Sequence, residues 1–137
     1  MPLLLFATSA SAWEFTPGTP CILTQESPEL TVTLTHDPTA PLYSITITRP
    51  EGLPQSPTFG LAFDGPAPLT IGTDRHRYHV DGTQVSVEDT GFGNVLNGMQ
   101  FNHTMRALFG EAEISIPLEG AADPVEAFRA CAPAAAV

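Results

Sequence analysis

The chain has no lysine, and its five positive charges are all arginine. Against fifteen acidic residues they leave a formal net charge of −10 at pH 7. Such a molecule repels polyphosphate, so nucleic-acid binding is disfavoured by the whole-molecule field, and anionic membrane surfaces for the same reason. Without lysine there is no Walker A loop, G-x-x-x-x-G-K-[ST]. No apolar run approaches the ~20 residues that a membrane-crossing helix needs, so membrane insertion is not expected. Cysteine occurs only twice, and no C-x-x-C spacing is present to hold zinc. No G-x-S-x-G appears, and no serine sits in a recognisable nucleophile setting.

The two cysteines, Cys21 and Cys131, nearly bracket the chain. Ahead of them lies a short leader. Residues 3–7 read Leu-Leu-Leu-Phe-Ala, and small residues follow through Ala10-Ser11-Ala12. Small residues at Ala10 and Ala12 suit a signal-peptidase groove, so residues 1–12 are expected to be a signal peptide cleaved before Trp13. The alternative is a buried N-terminal strand. Disulfides persist in oxidising compartments, so the paired cysteines agree with a periplasmic or secreted protein. A Cys21–Cys131 bridge would stabilise the fold by roughly 4–5 kcal/mol at most from loop entropy.

Residues 13–137 are enough for one domain with a real core. Fourteen prolines and eleven glycines punctuate the whole chain too often for long helices. Residues 30–35 (Leu-Thr-Val-Thr-Leu-Thr) alternate apolar and polar, as do residues 43–48 (Tyr-Ser-Ile-Thr-Ile-Thr). These are half-buried strands, and the Asp37-Pro38 break between them predicts an antiparallel pair. Further strands are predicted at 59–63, 69–71, 84–88 and 113–118, with a hairpin turn at Asp81-Gly82. The Pro50–Pro57 stretch reads as an irregular connection, and residues 95–109 as a mixed segment containing a short helix. The C-terminal helix carries stronger signals. Asp123 is placed at the N-cap, Pro124 at the first helical position, and Phe128 as its core anchor. The expected fold is mainly β: an antiparallel β-sandwich or partly open barrel with a short C-terminal helix.

His76 and His79 are the first candidates for chemistry. With Asp74 or Asp81 they form a weak candidate copper or zinc site. Spacing of three puts them on opposite faces of a strand, and Arg75 and Arg77 would repel a cation. His36-Asp37 and His103 could belong to a Ser-His-Asp arrangement. Glu88-Asp89 and Glu111/Glu113 could mimic a glycosidase pair, though adjacent acids usually form a solvated strand edge. Gly91-Phe92-Gly93-Asn94 lacks the context of a phosphate loop. It reads as a corner needing positive φ, with Phe92 plugged into the core.

Four stretches together carry a resemblance over essentially the whole mature chain. They are Thr73-Asp74-Arg75-His76, residues 89–98 (Asp-Thr-Gly-Phe-Gly-Asn-Val-Leu-Asn-Gly), Pro117-Leu118-Glu119-Gly120, and Ala127-Phe128-Arg129-Ala130-Cys131. The chain resembles a family of small exported alphaproteobacterial proteins, some of them labelled as the helicase-type component of the ABC excinuclease. The absent lysine contradicts that label here. The ending is similar, more weakly, to periplasmic β-domains related to invasion-associated locus B. The resemblance implies export and supplies no catalytic residues and no cofactor. In a bacterial chain the Asn102-His103-Thr104 sequon carries no weight. The expected function is a non-catalytic binding or interaction module whose protein partner presents a neutral or basic surface. The alternative is metal or small-ligand handling through His76 and His79.

Overall fold

The computed structural model describes residues 12–131. The predicted leader, apart from Ala12, and the small-residue tail lie outside the described residues.

Ten strands form two antiparallel sheets. The larger contains β1 (Glu14–Thr16), β2 (Cys21–Glu26), β3 (Thr31–Asp37), β4 (Leu42–Thr48), β7 (Arg77–His79) and β8 (Gln84–Asp89). Its spatial order is β1-β2-β3-β4-β8-β7. The smaller contains β5 (Phe59–Asp64), β6 (Leu69–Thr73), β9 (Thr104–Phe109) and β10 (Ala112–Pro117), in the order β10-β9-β5-β6. The sheets do not close on one another, so the sandwich is the correct choice and the barrel is not.

The predicted alternation is what makes the two sheets stick. Val32 and Leu34 of β3 pair with Ile47 and Ile45 of β4, and all four are buried. Their threonine neighbours line the other face, where β-branched side chains fit the pleat. The facing sheet contributes Phe59, Leu61, Phe63, Met105, Ala107, Phe109 and Ile116 to the same core. The β7–β8 hairpin turns at the expected place. Val80, Asp81 and Gly82 all have positive φ, and Thr83 donates its N–H to the Val80 carbonyl at 3.1 Å. Positive φ costs glycine nothing, and Asp tolerates it, but it is unusual for a β-branched valine.

The short helix expected within residues 95–109 is present as α1 (Gly93–Phe101), and the same stretch also holds the full strand β9, which was not expected. Periodicity blurred there because Asn102 ends the helix and the strand starts two residues later. Asn102 is buried and donates to the Gly98 carbonyl at 3.0 Å and the Ala67 carbonyl at 2.8 Å. It thereby satisfies a carbonyl that the helix end leaves open. Residues 14–16 and 21–26, where no strand is predicted, are strands β1 and β2. The C-terminal helix α2 (Ala122–Arg129) starts two residues early: its N-cap is Ala121, and Asp123 and Pro124 lie in the first turn. The Val125 N–H reaches the Ala121 carbonyl at 2.9 Å, which draws Ala122 and Asp123 into the helix. Pro124 still costs nothing there, since N–H groups of the first turn have no intrahelical partner.

Cys21, at the start of β2, is bonded to Cys131, just past α2, with Cα atoms 6.5 Å apart and a sequence separation of 110. Phe128 sits fully buried beneath this bridge. Its ring meets those of Phe15, His36 and Tyr43 edge-on at 6.2–6.4 Å. Arg129 donates to the Asn97 side chain, tying α2 to α1. On the same side, Trp13 and Gln25 both donate to the Pro117 carbonyl, at 3.0 and 3.3 Å. These bonds join the larger sheet to the end of β10, so this side of the sandwich is closed. On the opposite side, between β8 and β6, the described residues show no comparable hydrogen bonds, and the chain crosses from sheet to sheet at residues 74–76.

Candidate functional site

On that open side lies a cavity of about 520 Å³. Its walls come from both sheets: Ile45 and Val87 from the larger, Phe59, Leu61 and Ile71 from the smaller. Its end is the start of α1, with Phe92 and Val95 buried against the core. Ile71 and Val87 occupy inward positions by alternation, yet each is only half-buried. Inward apolar side chains that the protein leaves partly uncovered are the walls of a cleft rather than of a core. The volume lies in the ~300–1,000 Å³ range of small-ligand sites.

Glycine shapes the same place. Gly60, Gly72, Gly91 and Gly93 all line the cleft, and none has positive φ. This overturns the expected positive-φ corner at Gly91–Gly93, although Phe92 is buried as expected. A Cβ placed on Gly91 or Gly93 would meet nothing within 4 Å. Neither the backbone nor the neighbouring protein requires glycine at those two positions. Both are exposed at the end of the cleft. By contrast Gly98, on the buried face of α1, is needed for packing, because a Cβ there would overlap the Phe63 ring.

The rim is polar. Arg75, Glu88, Asp89, Thr73 and Asn94 stand at the mouth. Arg75 approaches the Asp89 carboxylate at 4.0 Å, with both side chains exposed. Asp89 also accepts the Thr90 N–H at 2.6 Å. The rim therefore carries two carboxylates against one guanidinium, within a molecule whose net charge is −10.

The histidines do not converge. His76 shares its Nε2 with the Ser56 carbonyl at 2.8 Å and packs near Phe59 and Tyr78. His79 is exposed and bonded through Nε2 to the Ser86 hydroxyl at 2.8 Å. Among the described residues no group of three or more His, Cys, Asp or Glu is gathered to hold a metal ion. His36 stacks on Tyr43 at 3.9 Å, inside the aromatic cluster, instead of facing a serine. The Pro50–Pro57 stretch is tied down. The Tyr78 hydroxyl donates to the Pro54 carbonyl at 2.9 Å and accepts the Ser56 N–H at 3.0 Å. The stretch read as a corner, Gly91–Asn94, runs into α1, which begins at Gly93.

Of the candidate acids Glu111 and Glu113, Glu113 serves a surface network. Arg106 of β9 grips Asp64 of β5 with two bonds, at 2.7 and 3.2 Å, and reaches Glu113 of β10 at 2.9 Å. This guanidinium holds the Asp64 carboxyl below its ordinary range. Asp37 is also lowered, first by the Thr39 hydroxyl and then by the Thr39 N–H. A carboxyl depressed in the folded state stabilises the fold above its unfolded pKa, and that share is lost as pH falls through the folded pKa. Urea midpoints are therefore expected to decline as pH drops below the ordinary carboxylate range. Arg106→Ala should show a shallower acid limb than the parent chain, while a slope identical to the parent's would remove Asp64 from the account.

The signal for the cleft was present in the sequence only as glycines with no turn to serve. Ile71 and Val87 looked like ordinary inward strand residues. Comparison with protein-family models, curated proteins and solved structures finds no match to this chain. Among the described residues, no helix is long and apolar enough to cross a membrane.

Proposed function

We propose that this chain is a non-catalytic binding module working outside the cytoplasm, with the open cleft between its sheets as the binding site. The carrying observation is the pair Ile71 and Val87, inward-facing and apolar yet only half-buried in the walls of a cavity of about 520 Å³. The protein leaves that surface to be covered by something else, because exposed apolar walls stabilise a fold only when water is removed from them. The Cys21–Cys131 bridge supports an oxidising compartment, periplasmic or secreted, and fits removal of residues 1–12 as a signal peptide. Membership of the small exported alphaproteobacterial family belongs to this proposal.

The neutral fluorophore N-phenyl-1-naphthylamine tests the site. Its emission should rise on binding the parent chain, and Val87→Trp, which fills the cleft, should weaken binding by about tenfold or more at an unchanged melting temperature. Equal binding to both chains would place the apolar site elsewhere and sink the reading.

A further inference from the structure

We infer that the occupant of the cleft is an extended, neutral-to-basic peptide segment of a partner protein, which adds to the smaller sheet as a strand beside β6. The inference rests on the binding reading above. The reason lies in the sheet edges. A sheet edge presents unpaired N–H and C=O groups, and proteins guard such edges with charge, proline or shortness. Three of the four edges here are guarded. β1 and β7 are three residues each, and β7 carries Arg77. β10 carries Glu113 and ends at Pro117. β6 is five residues long, Leu-Thr-Ile-Gly-Thr, with neither a charge nor a proline. It pairs only with β5, and among the described residues no backbone hydrogen bond joins it to any other segment.

The larger sheet offers a matching gap. β7 covers β8 only at Gln84, Val85 and Ser86. Val87, Glu88 and Asp89 therefore have β4 on one side and no strand on the other. Both exposed stretches, 71–73 of β6 and 87–89 of β8, line the same cleft. A compact apolar ligand would cover Ile71 and Val87 but leave those backbone groups as they are. An extended chain pairs with them and, through alternate side chains, also fills the space between Ile71 and Val87. Glu88 and Asp89 at the rim, and the net charge of −10, favour a guest without acids and with a basic residue near the mouth.

A phage-displayed library of random dodecapeptides, panned on the disulfide-bonded protein, supplies the probe. Enriched peptides should alternate apolar residues and carry Lys or Arg. A synthetic copy methylated on every second backbone nitrogen should lose about tenfold or more in affinity in one parity and little in the other. This readout leaves the protein unaltered, so it does not depend on any variant folding. Val87→Trp should abolish both peptide and fluorophore binding. Indifference to backbone methylation in both parities would mean side-chain docking and would overturn the strand. If the fluorophore binds and no peptide is enriched, the cleft stands and the peptide falls. If neither binds, both fall. A dimer of the free protein that Ile71→Lys dissociates would show the edge taken by a second copy, and would also overturn it.

Discussion

Replacing Cys21 and Cys131 together by alanine is expected to lower the melting temperature by roughly 10–20 °C. Loop closure over 110 residues is worth about 4–5 kcal/mol by chain entropy, and removal of native disulfides from small exported domains typically costs ~2–5. Either figure is a large share of the ~5–15 kcal/mol that holds an ordinary domain folded. The location raises the stake. The bridge fastens α2 to the edge region of the larger sheet, and α2 is followed by no further described strand or helix to hold it. Reduced protein should therefore melt near the double variant. Differential scanning calorimetry of oxidised, reduced and Cys-free chains reads this directly. A Cys-free chain melting within a few degrees of the oxidised parent would show that burial under α2, not the crosslink, secures the helix.

Phe128→Ala is expected to cost about 3–5 kcal/mol, the range for emptying a buried aromatic site. Its ring is fully buried and meets β1 through Phe15, β3 through His36 and β4 through Tyr43. Those partners sit on three separate strands of one sheet, so no single shift closes the void. Beyond area burial, each edge-on aromatic pairing adds about 0.5–1.5 kcal/mol that alanine cannot supply. Phe128→Leu should recover much of the deficit, because it refills volume without the ring pairings. Chemical denaturation of the three chains gives the series. A deficit under about 1 kcal/mol for Phe128→Ala would mean that α2 is held mainly by the disulfide and by the Arg129–Asn97 bond.

These two effects concern the closed side of the sandwich, where sequence reading succeeded best. The cysteine pair, Phe128 as anchor and the existence of the C-terminal helix were all legible, because each rests on residue types with one dominant use. The helix start was misplaced because Asp123 and Pro124 are equally at home one or two positions further in. The strands at 31–37 and 42–48 were legible through strict period-two alternation. β9 was missed because it follows α1 with only Asn102 and His103 between them, so two periods merge in one window.

The candidate site was hardly legible at all. His76 and His79 drew attention by residue type, but each is committed to a separate hydrogen bond. Glu113 drew attention as an acid and proves to be a ligand of Arg106.

By itself the sequence determined the fold class, the acidity, the disulfide partners and the inward faces of most strands. Local pattern and composition encode those properties, since side-chain period and residue chemistry are carried within a few neighbours. Only the tertiary structure decided which inward residues stay uncovered. Ile71 and Val87 are indistinguishable in sequence from Ile45 and Val85, which are buried. Their exposure depends on where β7 stops along β8 and on β6 being the last strand of its sheet. Each of these is a relation between segments distant in the chain, and no local window contains it.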